Sequence, residues 1–142
     1  MPPAFVLDTG VVVAAMRSQA GASRLLLRAA LDRRFTLLLS VPLLLEYEAV
    51  LSRPEQLAAC GISPTEAGQV LDDLAAVAKA VRVLFRTRPL LPDPSDDMVL
   101  EAAVNGGANA LVTFNARDFQ RAADQYGCRV LTPIQALRRL RS

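Results

Sequence analysis

Apolar positions along the chain fall into two patterns, short runs of three or four and longer stretches recurring every three or four residues. The first pattern predicts buried strands and the second amphipathic helices. Phe5 to Leu7 is a short run ending at Asp8, readable as a first strand. Ala22 to Arg34 is helical, with leucines on one side and Arg24, Arg28 and Arg33 among its polar positions. Thr36 to Leu39 is a second strand, closed by Ser40, which is placed to cap a helix over SVPLLLEYEAVLSR with Pro42 in its first turn. Ser63-Pro64-Thr65-Glu66 forms a capping box opening a helix to about Lys79, and Val81 to Phe85 alternates like a strand. Ser95 can cap a helix from about Asp96 to Asn105, which Gly106-Gly107 ends. Ala110 to Thr113 and Arg129 to Leu131 read as strands, and Thr132-Pro133 opens a C-terminal helix ending in arginines.

Strands alternating with helices predict an α/β sandwich around a mostly parallel sheet. Sites in such sheets form beyond the carboxyl ends of the strands, and Asp8 in FVLDTGVVVAA stands at one. Three other acidic places could join it. Glu46 and Glu48 lie on the SVPLLLEYEAVL helix, whose apolar face is Leu43, Leu44, Tyr47, Val50 and Leu51. They fall on opposite borders of that face, so periodicity does not choose between them. DPSDDMVLEAA holds Asp93, Asp96 and Asp97 at a helix start, where acids suit the dipole but repel one another unless a cation screens them. VTFNARDF, directly after a strand, offers Thr113, Asn115 and Asp118.

Composition narrows the chemistry. The chain has no histidine, which removes Ser-His-Asp and Cys-His triads and H-E-x-x-H zinc sites. Oxygen-only ligand sets prefer hard cations, so Mg²⁺ or Mn²⁺ rather than zinc, acting on a phosphodiester. Cys60 and Cys128 form no C-x-x-C pair and read as reduced thiols of a cytoplasmic protein. No apolar run approaches the roughly 18 residues of a membrane span, and no secretory signal is read at the N-terminus. Net charge is only +2, but fifteen of the sixteen cations are arginine, suited to bidentate phosphate contacts. At 142 residues, without repeat or linker, the chain is expected to form one domain over 1–142.

FVLDTGVVVAA, SVPLLLEYEAVL, DPSDDMVLEAA, VTFNARDF and RVLTPIQAL resemble, in order, the successive motifs of the PIN domain, and most closely those of VapC-like toxins of toxin–antitoxin systems. The likeness runs from about Phe5 to Leu137. It implies a three-layer α/β/α sandwich and a metal-dependent ribonuclease acting on RNA. The family's acids fall on Asp8, Glu46 and Asp97, resolving the choice between Glu46 and Glu48, with Asp118 taken as the fourth. Thr9, Asp93, Asp96, Thr113 and Asn115 are auxiliaries, and Thr113 matches an assisting hydroxyl residue. Arg24, Arg28, Arg86, Arg88 and Arg117 are candidates for RNA phosphates. The resemblance also implies an antitoxin partner and a homodimer, for which Leu45, on the polar side of its helix, suits a contact. Two departures stand out. Gly10 occupies a position where the family commonly has Asn or Ser, and Asn115 one where it often has aspartate. These departures motivate an alternative, a catalytically weak PIN domain that binds RNA or protein. A receiver or phosphatase with Asp8 as nucleophile fits poorly, because Asp8-Thr9-Gly10 lacks a second acid two residues on.

Overall fold

A computed structural model describes residues 2–86, 91 and 93–141. The chain runs β1 (Ala4–Leu7), α1 (Thr9–Arg17), α2 (Ala22–Leu31), β2 (Thr36–Leu39), α3 (Val41–Leu51), α4 (Pro54–Cys60), α5 (Pro64–Val77) and β3 (Lys79–Ala80). It continues through α6 (Pro94–Gly106), β4 (Ala110–Val112), α7 (Ala116–Gln125), β5 (Arg129–Leu131) and α8 (Pro133–Arg141). All strand pairs among the described residues are parallel, in the order β3-β2-β1-β4-β5. With helices packed on it, the sheet makes the α/β/α sandwich expected. No described helix is long and apolar enough to cross a membrane.

β1 is the central strand. Its alternate faces are both covered, so Phe5, Val6 and Leu7 are all buried, as expected of a parallel strand between helical layers. From β1 the chain moves one way to β2 and β3, and returns on the other side to β4 and β5. The crevice between β1 and β4 is therefore the switch point where open α/β sheets bind ligands. Pairing continues one residue past the strands: between β1 and β4 the Asp8 amide donates to the Val112 carbonyl at 2.9 Å, and between β4 and β5 the Thr113 amide donates to the Leu131 carbonyl at 2.9 Å.

Several expected elements differ in extent. The helix expected to reach Lys79 ends at Val77, and Lys79–Ala80 is itself the edge strand. Val81 still donates to Leu39, but the alternation over 81–85 does not form a strand. The amides of Leu84 and Phe85 go instead to Asn105 Oδ1, at 3.0 and 2.8 Å, so a side chain of α6 replaces the ladder. The helix expected from Asp96 starts two residues earlier, with Asp93 rather than Ser95 as its cap, accepting from the Ser95 amide. The helix expected to reach Arg34 ends at Leu31, where Arg33 adopts a left-handed conformation (φ 58°) that lets the Arg34 amide return to Ala29.

Gly106, the last residue of α6, closes the core on β2. A Cβ there would stand 2.9 Å from both Leu38 Cδ1 and Val81 Cγ2, whereas one at Gly68 in α5 meets open space. Overpacking costs about 1–3 kcal/mol, more than the ~1 kcal/mol an alanine gains in helix propensity. Urea unfolding should therefore show Gly106→Ala destabilised by about 1 kcal/mol and Gly68→Ala stabilised, the two shifts having opposite sign.

Candidate active site

Asp8 follows β1 and occupies the N-cap position of α1, and its side chain is buried. Thr113, fully buried after β4, donates its hydroxyl to Asp8 Oδ2 at 2.7 Å. The same Thr113 oxygen accepts from the Asn115 amide at 3.0 Å, which fixes the turn into α7. From a third direction, the Tyr47 hydroxyl on α3 donates to the Leu7 carbonyl. Tyr47 reads in sequence only as part of an apolar helix face. In the fold it is fully buried and locks α3 to the residue before Asp8; on that helix Glu46 is half-buried and Glu48 exposed, and Glu46 is not among the charges that act on Asp8 or Asp96.

The electrostatics follow from this burial. Desolvation raises the Asp8 carboxyl above its usual range, and Asp93 raises it further. The Thr113 hydroxyl opposes that shift, as do the Thr9 and Gly10 amides, although neither amide makes a cap hydrogen bond of normal geometry to Asp8. Asp96, half-buried in the first turn of α6, is raised to about 6, first by burial and then by the negative charges of Asp8, Asp93, Asp118 and Asp97. Four strand-end or helix-start acids thus act on one carboxyl. Asp97 is more deeply buried than Asp96 and accepts from the Leu91 amide at 3.3 Å.

Other candidates are placed differently. Asp118 and Asn115 are exposed at the start of α7. Thr9 is buried, and its Oγ1 has no hydrogen-bond partner among the described residues. Arg24 donates to the Ala15 carbonyl at 3.2 Å and shares with Arg17 and Arg28 a separate hollow of about 480 Å³ that none of the candidate acids lines. Arg86 and Arg117 are exposed, and Arg88 lies outside the described residues. Sequence reasoning passes over Glu101, which is buried on α6. Its spacing of four from Asp97, the repeat that puts both on one helix face, is the signal that could have found it.

These residues suit a hard divalent cation chemically. The side chains are all oxygen donors, and the raised Asp8 and Asp96 carboxyls mark negative charge that no cation among the described residues offsets. The side chains do not form a closed cage: among the described residues, no three acids converge at ligand distance.

Two predictions follow from this geometry. Replacing Thr113 by Val removes the donor to Asp8 and the acceptor for Asn115 without changing shape. Urea unfolding should show a loss of about 1–3 kcal/mol, with Thr113→Ser largely retaining stability. The second concerns pH in EDTA. Asp96 binds its proton more tightly folded (about 6) than unfolded (3.8), so this group's contribution to stability falls as pH rises through that window. Asp96→Asn should flatten that slope and stabilise the metal-free protein at neutral pH by on the order of 1 kcal/mol, allowing for solvent screening. An unchanged slope in thermal unfolding would contradict it.

Comparison with known proteins agrees with the fold. A search of the curated proteins returns no match. VapBC2 from Rickettsia felis, bound to a DNA fragment from its promoter, is similar in structure: TM-score 0.63 and 15% identity, over 91% of this chain and 98% of that one. At that identity the likeness concerns the fold. The model of the PIN domain matches residues 4–117, most of the chain and the whole span from β1 to the start of α7. The chain belongs to the PIN-domain family.

Proposed function

We propose that the chain, folded as one PIN domain over 1–142, is a cytoplasmic endoribonuclease dependent on Mg²⁺ or Mn²⁺, and the toxin of a toxin–antitoxin pair. The observation that carries this reading is the buried Asp8 carboxylate at the β1/β4 switch point, held by Thr113 and facing the acid group around Asp96. Family membership and the VapC-like order of the motifs support it, as does the fold shared with VapBC2.

Asp8, Glu46 and Asp97 would hold the cation, with Asp118 at the open side of the site. When bound, the cation supplies Lewis acidity for phosphodiester hydrolysis. The chain supplies orientation and charge. Thr113 keeps Asp8 in one rotamer, and burial of Asp8 and Asp97 strengthens their fields by excluding solvent. Arg117, exposed in the first turn of α7, would take a strand phosphate. Val41 and Leu45, one turn apart and exposed on α3, offer the apolar contact a homodimer needs.

A second reading, a PIN domain that binds RNA with little catalysis, is favoured by the absence of three convergent acids among the described residues. One experiment separates the two. Wild type should cleave RNA with Mn²⁺ and stop in EDTA, while Asp8→Asn should lose cleavage by a hundredfold or more, as expected on losing a charged group at the reacting centre. Calorimetric titration with Mn²⁺ should give binding that Asp8→Asn weakens. Full cleavage by Asp8→Asn would sink the nuclease reading; intact RNA affinity without Mn²⁺ binding would establish the second.

A further inference from the structure

Phe114 breaks the burial pattern around it. Residues 110–113 are at most 1% exposed, yet Phe114 is 56% exposed. The turn that carries it is fixed, because the Thr113 hydroxyl binds the Asn115 amide on one side and Asp8 on the other. Phe114 lines a recess of about 460 Å³ with Ala14, Ser18, Ser23, Pro133 and Ile134, and none of the residues lining it is charged. The recess and the acid group therefore meet at adjacent residues, Phe114 lining the one and Thr113 bonded to Asp8 in the other.

We infer that Phe114 is a stacking platform for an unpaired nucleobase of the RNA strand, beside the phosphodiester that reaches Asp8. The inference rests on the ribonuclease reading. An acidic group at the reacting centre repels phosphates, so affinity for a strand draws on contacts beyond phosphate charge. Stacking on an aromatic face is such a contact, tolerant of sequence and worth most where the face is exposed and rigidly held. A strand with its phosphodiester at Asp8 carries a flanking base covalently to the other side of Thr113, where the apolar recess lies. Arg117, exposed three residues on in the first turn of α7, would take a phosphate of the same strand. An apolar peptide would suit the recess alone, but it would not account for a platform one residue from the hydroxyl that holds Asp8.

The chain contains no tryptophan, so Phe114→Trp introduces a single fluorescent reporter at the platform. In an Asp8→Asn background with Mg²⁺, which keeps the strand intact, a short single-stranded oligouridylate should quench that fluorescence. Anisotropy titration should show Phe114→Ala and Phe114→Leu about tenfold weaker, with Phe114→Tyr close to the parent. The dependence of affinity on salt should stay unchanged in Phe114→Ala and fall by about 0.7 in log–log slope in Arg117→Gln. Parent-like affinity of Phe114→Ala or Phe114→Leu overturns the inference. So does a Phe114→Ala protein whose RNA affinity is intact and whose sedimentation changes, since that marks a protein-docking surface. Wild type without Mn²⁺-dependent cleavage refutes the nuclease reading but leaves a positive stacking result standing.

Discussion

Thr113 and Asp8 are 105 residues apart in sequence and joined by a 2.7 Å hydrogen bond between two buried side chains. Much of what is distinctive in the fold converges on that bond. It forms because β1 and β4 are neighbours in a parallel sheet whose connections diverge between them, so both strand ends open into one crevice. A carboxylate removed from water needs donors, and a threonine hydroxyl supplies one without adding charge. The hydroxyl also accepts from Asn115, so the group that orients Asp8 is itself held. Tyr47 completes the arrangement by tying α3 to the carbonyl of Leu7. Three distant segments thus share one rigid corner.

That corner is not optimised for stability. Acids in the first turn of a helix gain from its dipole, typically 0.3–1 kcal/mol each. Asp96 stands in that position in α6, and its pKa is nevertheless raised to about 6. Burial and four neighbouring carboxylates outweigh the dipole. Helix-start chemistry accounts for Asp93, which caps α6 through the Ser95 amide, but it does not account for bringing Asp8 and Asp118 into range of Asp96. Unfavourable charge gathered at a switch point is the pattern expected where a site takes precedence over folding free energy.

Four of the five strands were legible because they are short apolar runs with clear ends: β2 and β5 fall where periodicity places them, and β1 and β4 within one residue. The exposed two-residue β3 read instead as the end of a helix. The capping box at Ser63 was equally plain. Helices without such marks were not. Val11, Val12 and Val13 favour strands by propensity, yet they lie in α1, because the central strand has already ended at Leu7 and the crossover to β2 has to begin. α7 looks like a polar loop in VTFNARDF, since its buried face, Phe119, Ala122 and Ala123, mostly follows that motif. In the site, Asp8 and the hydroxyl of Thr113 were visible as strand-end residues. The bond between them was not, because register across β1 and β4 is a tertiary fact. Tyr47 was hidden for another reason: a tyrosine on an apolar face gives no sign that its hydroxyl has a carbonyl to meet.

The two departures from the family pattern sit where the fold leaves freedom. A Cβ at Gly10 would meet nothing within 4 Å, so glycine there is not imposed by packing. Asn115 holds Thr113 through its main-chain amide, and its side chain makes no cap hydrogen bond. An aspartate would preserve that amide contact, so the amide side chain is not imposed by the turn either. Neither residue is a by-product of core design, in contrast to Gly106, which the core requires. Both lie within two residues of the Asp8–Thr113 pair. Their effect is therefore on the charge and hydrogen-bonding capacity around Asp8, with the scaffold of the site left intact.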